Sequence, residues 1–455
     1  MSIQSINPFN GQVLKTFESF DNKRISEAID QTYNAFHLWK NTDLHERAAR
    51  MYKMAGLLEE NKKYYGGIIT IEMGKAIKES IAEVEKCSKV CYYYADNAAR
   101  FLADEPLDPP HGNAWIHYNP LGPILAIMPW NFPFWQVFRF VAPALMAGNT
   151  ALLKHASNVP QCALAIEEIV RLAGFPDSVF RTLLIGASKV EIVLNNPKVV
   201  AATLTGSENA GSNVAEIAGR NLKKTVLELG GSDPFIVLHD ADLKKAAEFG
   251  AKARMINCGQ SCIAGKRFII EDAVFDEYLK LYSEQLDKLQ EGDPLYSNTD
   301  LGPLARQDLA EELQKQVTTS LKKGATLLYG KVSSSITNAQ FPPLIIGDAQ
   351  PGTPAYDEEM FGPVAIFFRV KDMADALRIA NDSQFGLGAS VWTTDRNAIQ
   401  YITDGIEVGA VYVNQMMFSD PSVPFGGIKR SGYGRELSHL GIREFTNQKT
   451  VWLAD

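Results

Sequence analysis

From residue 124 to 228 the chain alternates short apolar runs with amphipathic stretches. ILAIM, TALLK, FRTLLI, VAATLT and TVLEL recur roughly every 20–30 residues. Between them FWQVFRFVAPALMA, QCALAIEEIVRLAG, ASKVEIVLNN and ENAGSNVAEIAG carry helical periodicity. Strand–helix alternation at this spacing predicts βαβ units and a parallel, doubly wound sheet. Ligands on such a sheet are expected outside the carboxyl ends of its strands.

After LELGG a second series opens. PFIVL, RFIIE, ATLLYG, PVAIFFRV, GASVWTT and GAVYVN read as strands, with helical patterns such as DMADALRIANDS between them. Upstream, residues 26–103 read as helices, and DLHERAARMYKMAGLLEENKK starts with Asp43 and Glu46 in capping-box spacing. WIHYNP and REFTNQKTVWLAD are strand-like but stand outside both series, as a small appendage whose edges favour pairing with another subunit. The expected α/β organisation is a first domain from 1–112 and 121–228, a second from 229–430, and an arm from 113–120 and 431–455. The chain has no repeats and no low-complexity linker.

Length and composition narrow the class. The 455 residues exceed one ordinary core, and 46% hydrophobic with 22% charged residues describes a globular protein. A net charge of −8 argues against nucleic acid or anionic membrane as main partner. LGPILAIMPWNFPFWQVFRFVAPALMAG is broken by prolines and an arginine, so it reads as buried strand, turn and helix and not as a membrane span. Five cysteines suit a reducing compartment. MSIQSINPFNGQVLKTF has neither the basic nor the apolar region of a secretory signal. The expectation is a cytoplasmic enzyme.

NCGQSCIAGKRF places Cys258 and Cys262 four residues apart. The other close pair, Cys87 and Cys91 in EVEKCSKVCYYYADN, has no histidine nearby, so no metal site is expected. Cys262 has small neighbours, which suits a nucleophile that a substrate must approach closely; an inert buried cysteine is the alternative. Glu228 ends an apolar strand beside two glycines, where a raised pKa would suit a general base or the position is a satisfied strand end. Asn131, between Pro129 and Pro133, is either a rigid amide donor or turn chemistry. G-x-G-x-x-G and the P-loop are both absent. LTGSENAG instead follows a strand and opens a helix: Gly206 would let the backbone turn sharply and Ser207 would cap the helix, with its N–H groups free for a phosphate. A strand-to-helix turn with no ligand is the alternative. Lys154 ends the preceding strand, with Ser157 three residues on, and reads equally as a solvated edge charge.

Together these stretches resemble the aldehyde dehydrogenase superfamily, from end to end. The matching motifs are PWNFP, TGSENAG, LELGGSDP, GQSC, EMFGPV and PFGGIKRSGYGRE, in that order. The resemblance implies a variant doubly wound cofactor domain without the usual glycine fingerprint, an α/β catalytic domain and a strand-rich oligomerisation arm, hence a homodimer or homotetramer. It makes Cys262 the nucleophile, Glu228 the general base and Asn131 the oxyanion amide. Trp130, Lys154, Ser157, Gly206, Ser207, Gly211, Glu359 and Phe361 fall at cofactor positions, with Glu359 on the nicotinamide ribose. The implied reaction is thiolate attack on an aldehyde, hydride transfer to the nicotinamide, and hydrolysis of a thioester by water that Glu228 activates. A cysteine hydrolase would use the same thiol and base without a nicotinamide site.

Within the superfamily, GPILAIMPWNFPFWQV, LLKHASN and LELGGSDPFIVL look most like the succinate-semialdehyde dehydrogenases. Arg139, on one helical face with Trp135, matches an arginine that binds the substrate carboxylate there; a partner carboxylate on a neighbouring element is the alternative. Ser419 in MMFSDPSVPFGG falls near an assisting serine. A second arginine found in some relatives six residues before the cysteine is here Ile256, which puts more weight on Arg139. The competing substrates are another semialdehyde or a medium-chain aldehyde. Where NAD-preferring relatives carry a glutamate that would repel a 2′-phosphate, this chain has Ser157. NADP is therefore the expected cofactor, with NAD permitted. Ala264 replaces a second cysteine of some relatives, and Cys258 reads as a packing residue.

Overall fold

The computed structural model describes residues 2–454. Six strands build the first sheet, in the order Gly432–Tyr433, Lys224–Glu228, Ala201–Thr205, Pro123–Met128, Thr150–His155, Phe180–Thr182. All neighbours are parallel except the first pair. Its central strands are apolar on both sides because both faces are covered, with polar residues mainly at their ends. Ile124, Ala126 and Met128 join one core cluster, while Leu125 and Ile127 join another on the opposite face.

The second sheet has seven strands, in the order Thr326–Tyr329, Leu344–Gly347, Val364–Val370, Gly265–Glu271, Asp233–Val237, Ala389–Trp392, Val411–Val413. Only the first pair is antiparallel. A third core cluster surrounds this sheet.

The strand-like outliers do pair with each other, Asn113–Pro120 against Thr446–Leu453. The partition differs from the expected boundaries in two places. Glu105–Leu107 adds a third strand to that small sheet. Gly432–Tyr433 leaves the arm to pair with Leu227 and Glu228. A two-residue strand carries no periodicity of its own, so only tertiary pairing assigns it.

Helices cover residues 22–39, 44–60, 62–73 and 77–101, as the early pattern predicts. Asp43 caps its helix by accepting from His45 N–H, but the capping box does not close: the Glu46 carboxylate turns to Arg50 instead. Two interior helices have no local side-chain cap and take one from elsewhere. Glu83 accepts from the N–H groups of Phe134 and Trp135 at the head of Trp135–Met146. Glu72 does the same for Gln161 and Cys162 at the head of Pro160–Leu172. Each buried carboxylate thus satisfies two otherwise orphaned donors. No helix among the described residues is long and apolar enough to cross a membrane.

Candidate active site

The carboxyl ends of the first sheet meet the amino ends of the second. Glu228 ends one strand of the first sheet, and Asn131, Lys154 and Ser207 lie at or just beyond the ends of three others. Cys262 precedes Gly265–Glu271 and Glu359 precedes Val364–Val370, both in the second sheet.

The chain reaches Cys262 through a tight turn. Asn257, Cys258 and Gly259 all have positive φ, at 53°, 53° and 74°. A Cβ on Gly259 would overlap the Gly362 carbonyl, so only glycine fits. Buried Arg254 fixes the same contact, donating from Nη2 to the carbonyls of Gly259 (2.8 Å), Met360 (3.0 Å) and Gly362. The cysteine loop and the EMFGP loop are therefore one rigid unit. Lys266, almost fully buried, donates to the carbonyls of Ser261 and Cys262 at 2.8 Å each and pairs with Glu359 at 3.0 Å. Cys258 is buried in the core of the second sheet, and its thiol and that of Cys262 are free.

Asn131 Nδ2 donates to the Gln260 carbonyl at 3.1 Å, two residues before the nucleophile candidate. Asn257 Nδ2 returns a bond to the Asn131 carbonyl at 2.7 Å. Asn131 Oδ1 is buried without a partner. Burial pushes the Cys262 thiol up to about 12, against the opposing pull of Arg139 and Lys266. Burial thus favours the protonated form of the sulfur.

A cavity of about 90 Å3 closes on Cys262 and is lined by Trp135, Arg139, Ser419, Lys86, Phe425, Met416 and Met417 among others. Of the expected substrate residues, the fold brings Cys262, Trp135, Arg139 and Ser419 together here. Glu228 is not in this lining. Its carboxylate sits against Gly426, with both oxygens buried and unbonded. Burial first, and then the Glu436 charge, raise its pKa well above the usual carboxylate range.

Arg139 is not free. Its Nε pairs with Glu436, its Nη2 donates to Thr205 at 3.3 Å, and its guanidinium lies 4.5 Å over the Phe425 ring. The carboxylate on a neighbouring element exists, supplied by GYGRE, whose Glu436 the sequence reading did not single out. A fully buried guanidinium needs such a partner. Lys86 is the second residue that reading missed. Its Nζ donates to Ser419 Oγ at 2.7 Å and lies 4.1 Å over the Trp135 ring. Burial, then the neighbouring Arg139, pull its pKa down to about 8. Its signal in the sequence is a lysine beside Glu83, Val84 and Cys87, core residues of an amphipathic helix.

A larger cavity, about 960 Å3, carries Lys154, Ser157 and Asn158 at the end of the first sheet. Among the described residues Lys154, half-buried, makes no ion pair and Asn158 Nδ2 is buried without a partner. Burial lowers the Lys154 pKa. Ser157 is exposed. The nearby acids are engaged: Asp21 caps its own helix and Glu18 pairs with Arg24. An unpaired cation and a hydroxyl, with no acid at position 157, fit a phosphate. Ser207 caps Glu208–Arg220 through Ala210 N–H, as expected. Gly206 departs from expectation, since its φ is not positive and a Cβ would meet only Leu204 at 3.6 Å. The glycine leaves open space and is not demanded by the turn. Gly211 packs its helix onto Leu229, where a Cβ would come within 2.6 Å. Trp130 and Phe361 meet edge to face at 5.8 Å. Glu359, expected on the ribose, here pairs with Lys266 and accepts from Gly231 N–H at 3.2 Å.

The aldehyde dehydrogenase family model matches residues 1–451. The chain belongs to the aldehyde dehydrogenase family. This aldehyde dehydrogenase is 49% identical, over 100% of both chains, to a probable succinate-semialdehyde dehydrogenase [NADP(+)] of Synechocystis sp.. It is 47% identical to a succinate-semialdehyde dehydrogenase [NADP(+)] of Mycobacterium avium, covering 100% of this chain and 97% of the other. Among solved structures, the succinic semialdehyde dehydrogenase of Streptococcus pyogenes in complex with NADP+ superposes with a TM-score of 0.97 at 36% identity, over 100% of both chains. The mixed α/β architecture with two sheets and a small strand-rich arm is the family's fold.

Proposed function

We propose that this dehydrogenase oxidises succinic semialdehyde to succinate, with NADP as its preferred hydride acceptor. The carrying observation is the small cavity over Cys262, whose walls set two cations, Lys86 and Arg139, and the Ser419 hydroxyl beside the thiol. A volume of about 90 Å3 suits a chain of a few carbons and is far below the size of a drug-like pocket. The full-length similarity to enzymes named for this substrate and NADP supports the reading.

Cys262 supplies the nucleophile. The thiol first gives its proton to water, the thiolate adds to the aldehyde carbon, and Asn131 Nδ2 with the Cys262 N–H holds the resulting oxyanion. Bound NADP supplies the acceptor for the hydride that leaves this carbon, which converts the adduct to a Cys262 thioester. Glu228 then takes a proton from water as it attacks the thioester, releasing the acid and regenerating the thiol. In its resting position against Gly426 the carboxylate is outside the cavity, so it rotates toward Cys262 to act. Lys154, Ser157 and Asn158 hold the adenosine 2′-phosphate end, and Trp130, Phe361 and Glu359 the nicotinamide end.

The arm of Glu105–Leu107, Asn113–Pro120 and Thr446–Leu453 pairs subunits into a homodimer or homotetramer, and the enzyme acts in the cytoplasm. Initial rates of nicotinamide reduction test the activity: succinic semialdehyde against butanal, each with NADP and with NAD. The expected result is a strong preference for the semialdehyde with NADP. Equal rates with butanal would overturn the substrate, and a preference for NAD would overturn the cofactor.

A further inference from the structure

Two consecutive cations, Lys266 and Arg267, stand at the head of Gly265–Glu271, and both are fully buried. Successive side chains of a strand face opposite ways, so the two enter different surroundings. Arg267 is satisfied by backbone, donating to the carbonyls of Tyr356 and Ile379 at 2.8 Å and of Asp382 at 3.3 Å. Backbone carbonyls thus suffice to house a cation in this strand. Lys266 has two carbonyls as well, of Ser261 and Cys262, and takes Glu359 in addition. An ammonium has three donors, and three acceptors surround this one. Asp233, the other buried acid nearby, is not its partner: Oδ1 accepts from Gly388 N–H at 3.2 Å, and burial pushes the carboxyl up to about 8.

The Glu359 carboxylate is held by one oxygen only. Oε1 pairs with Lys266 at 3.0 Å and accepts from Gly231 N–H at 3.2 Å. Oε2 has no hydrogen-bond partner among the described residues, and the side chain keeps 20% of its exposure. It lies over Gly230, where an added Cβ would come within 2.5 Å of it, so glycine is what gives the carboxylate room. Oε1 is fixed and Oε2 is left to be approached. The same ammonium grips the carbonyl of the nucleophile, so Cys262 and Glu359 share one buried anchor.

We propose that Lys266 is a positioning residue: it fixes Glu359 Oε1 so that Oε2 meets the nicotinamide ribose, and it ties that contact to the Cys262 backbone. The assignment rests on the reading of Glu359 as the ribose residue. Transfer between two bound groups depends on their spacing, and a shared rigid anchor sets it.

NADP affinity tests it on the full-length enzyme, measured without aldehyde by quenching of tryptophan fluorescence. The variants are Lys266→Met, Lys266→Gln, Glu359→Gln and the double variant Lys266→Met with Glu359→Gln. Adenosine 2′,5′-bisphosphate, which lacks the nicotinamide ribose, is titrated in parallel. Each single variant is expected to weaken NADP binding about tenfold, the loss of one charge-assisted contact. The double variant is expected to bind no worse than Glu359→Gln, because Lys266 acts through that carboxylate. The bisphosphate is expected to bind every variant as it binds the wild type. Wild-type NADP affinity in the Lys266 variants, losses that add in the double variant, or a matching loss on the bisphosphate would each overturn the positioning role. Glu359→Gln with wild-type NADP affinity would instead overturn the ribose reading of Glu359. Hydrogen exchange of residues 257–266 in Glu359→Gln reads the shared anchor without any change at Lys266. Faster exchange than in the wild type is expected, and unchanged exchange would overturn the anchor.

Discussion

Arg139 and Glu436 form an ion pair that is almost completely removed from solvent, with Glu228 close enough that the Glu436 charge helps raise its pKa. One guanidinium thus offsets two buried carboxyl groups on the wall behind the nucleophile. Removing it leaves Glu436 uncompensated, which costs about 3–5 kcal/mol for a buried pair. Arg139→Met is therefore expected to lower unfolding stability by that order in urea titration. It is also expected to slow semialdehyde and butanal alike. A loss confined to the semialdehyde, with stability unchanged, would show that Arg139 acts by binding the substrate carboxylate and not by holding Glu436.

The pH response of Cys262 follows from its buried thiol. With the pKa raised to about 12, the thiolate fraction of the free enzyme grows roughly tenfold per pH unit below that value. The iodoacetamide inactivation rate should climb from pH 7 to 10 without a plateau, and Cys262→Ala should abolish both labelling and activity. A plateau near pH 8 would show an activated thiolate at rest.

Ser157 faces the space beside Lys154, where the lining acids Glu18 and Asp21 are engaged with Arg24 and a helix head. Ser157→Glu places a like charge against the 2′-phosphate, at a cost of several kcal/mol. The NADP-to-NAD ratio of kcat/KM should drop about 100-fold, equivalent to roughly 3 kcal/mol. No change would place the 2′-phosphate elsewhere.

Gly259 has positive φ and no room for a side chain beside the Gly362 carbonyl. Gly259→Ala must push the cysteine loop from the EMFGP loop, displacing Cys262 relative to Asn131. A misplacement near 1 Å costs on the order of 100-fold in rate. A kcat loss of that size with circular dichroism retained is expected; full activity would show that the two loops need not stay locked.

Leu107, Trp452 and Leu453 expose apolar side chains on the small sheet, at 42%, 55% and 54%. Apolar groups beside open strand edges favour association. Trp452→Glu combined with Leu107→Glu should lower the mass measured by light scattering. An unchanged mass would place the subunit contact on another surface.

Much of the protein is legible in the chain alone. Strands buried on both faces read as nearly continuous apolar runs, so ILAIM and the ALL of TALLK announce their sheet without outside help. Ser207 declares its helix because a serine hydroxyl can reach its own N3 amide, and Cys262 is marked by the small residues around it. What the sequence leaves open depends on groups distant along the chain. Nothing near Phe134 or Gln161 caps those helices; Glu83 and Glu72 do so from other helices. Arg139 reads equally as a substrate anchor or as half of a pair, because its partner lies almost three hundred residues away at Glu436. Lys86 looks like one more helix lysine until folding sets it against Ser419. Local propensity and periodicity are short-range and are written in neighbouring residues, whereas the neutralisation of a buried charge depends on which elements the fold packs together.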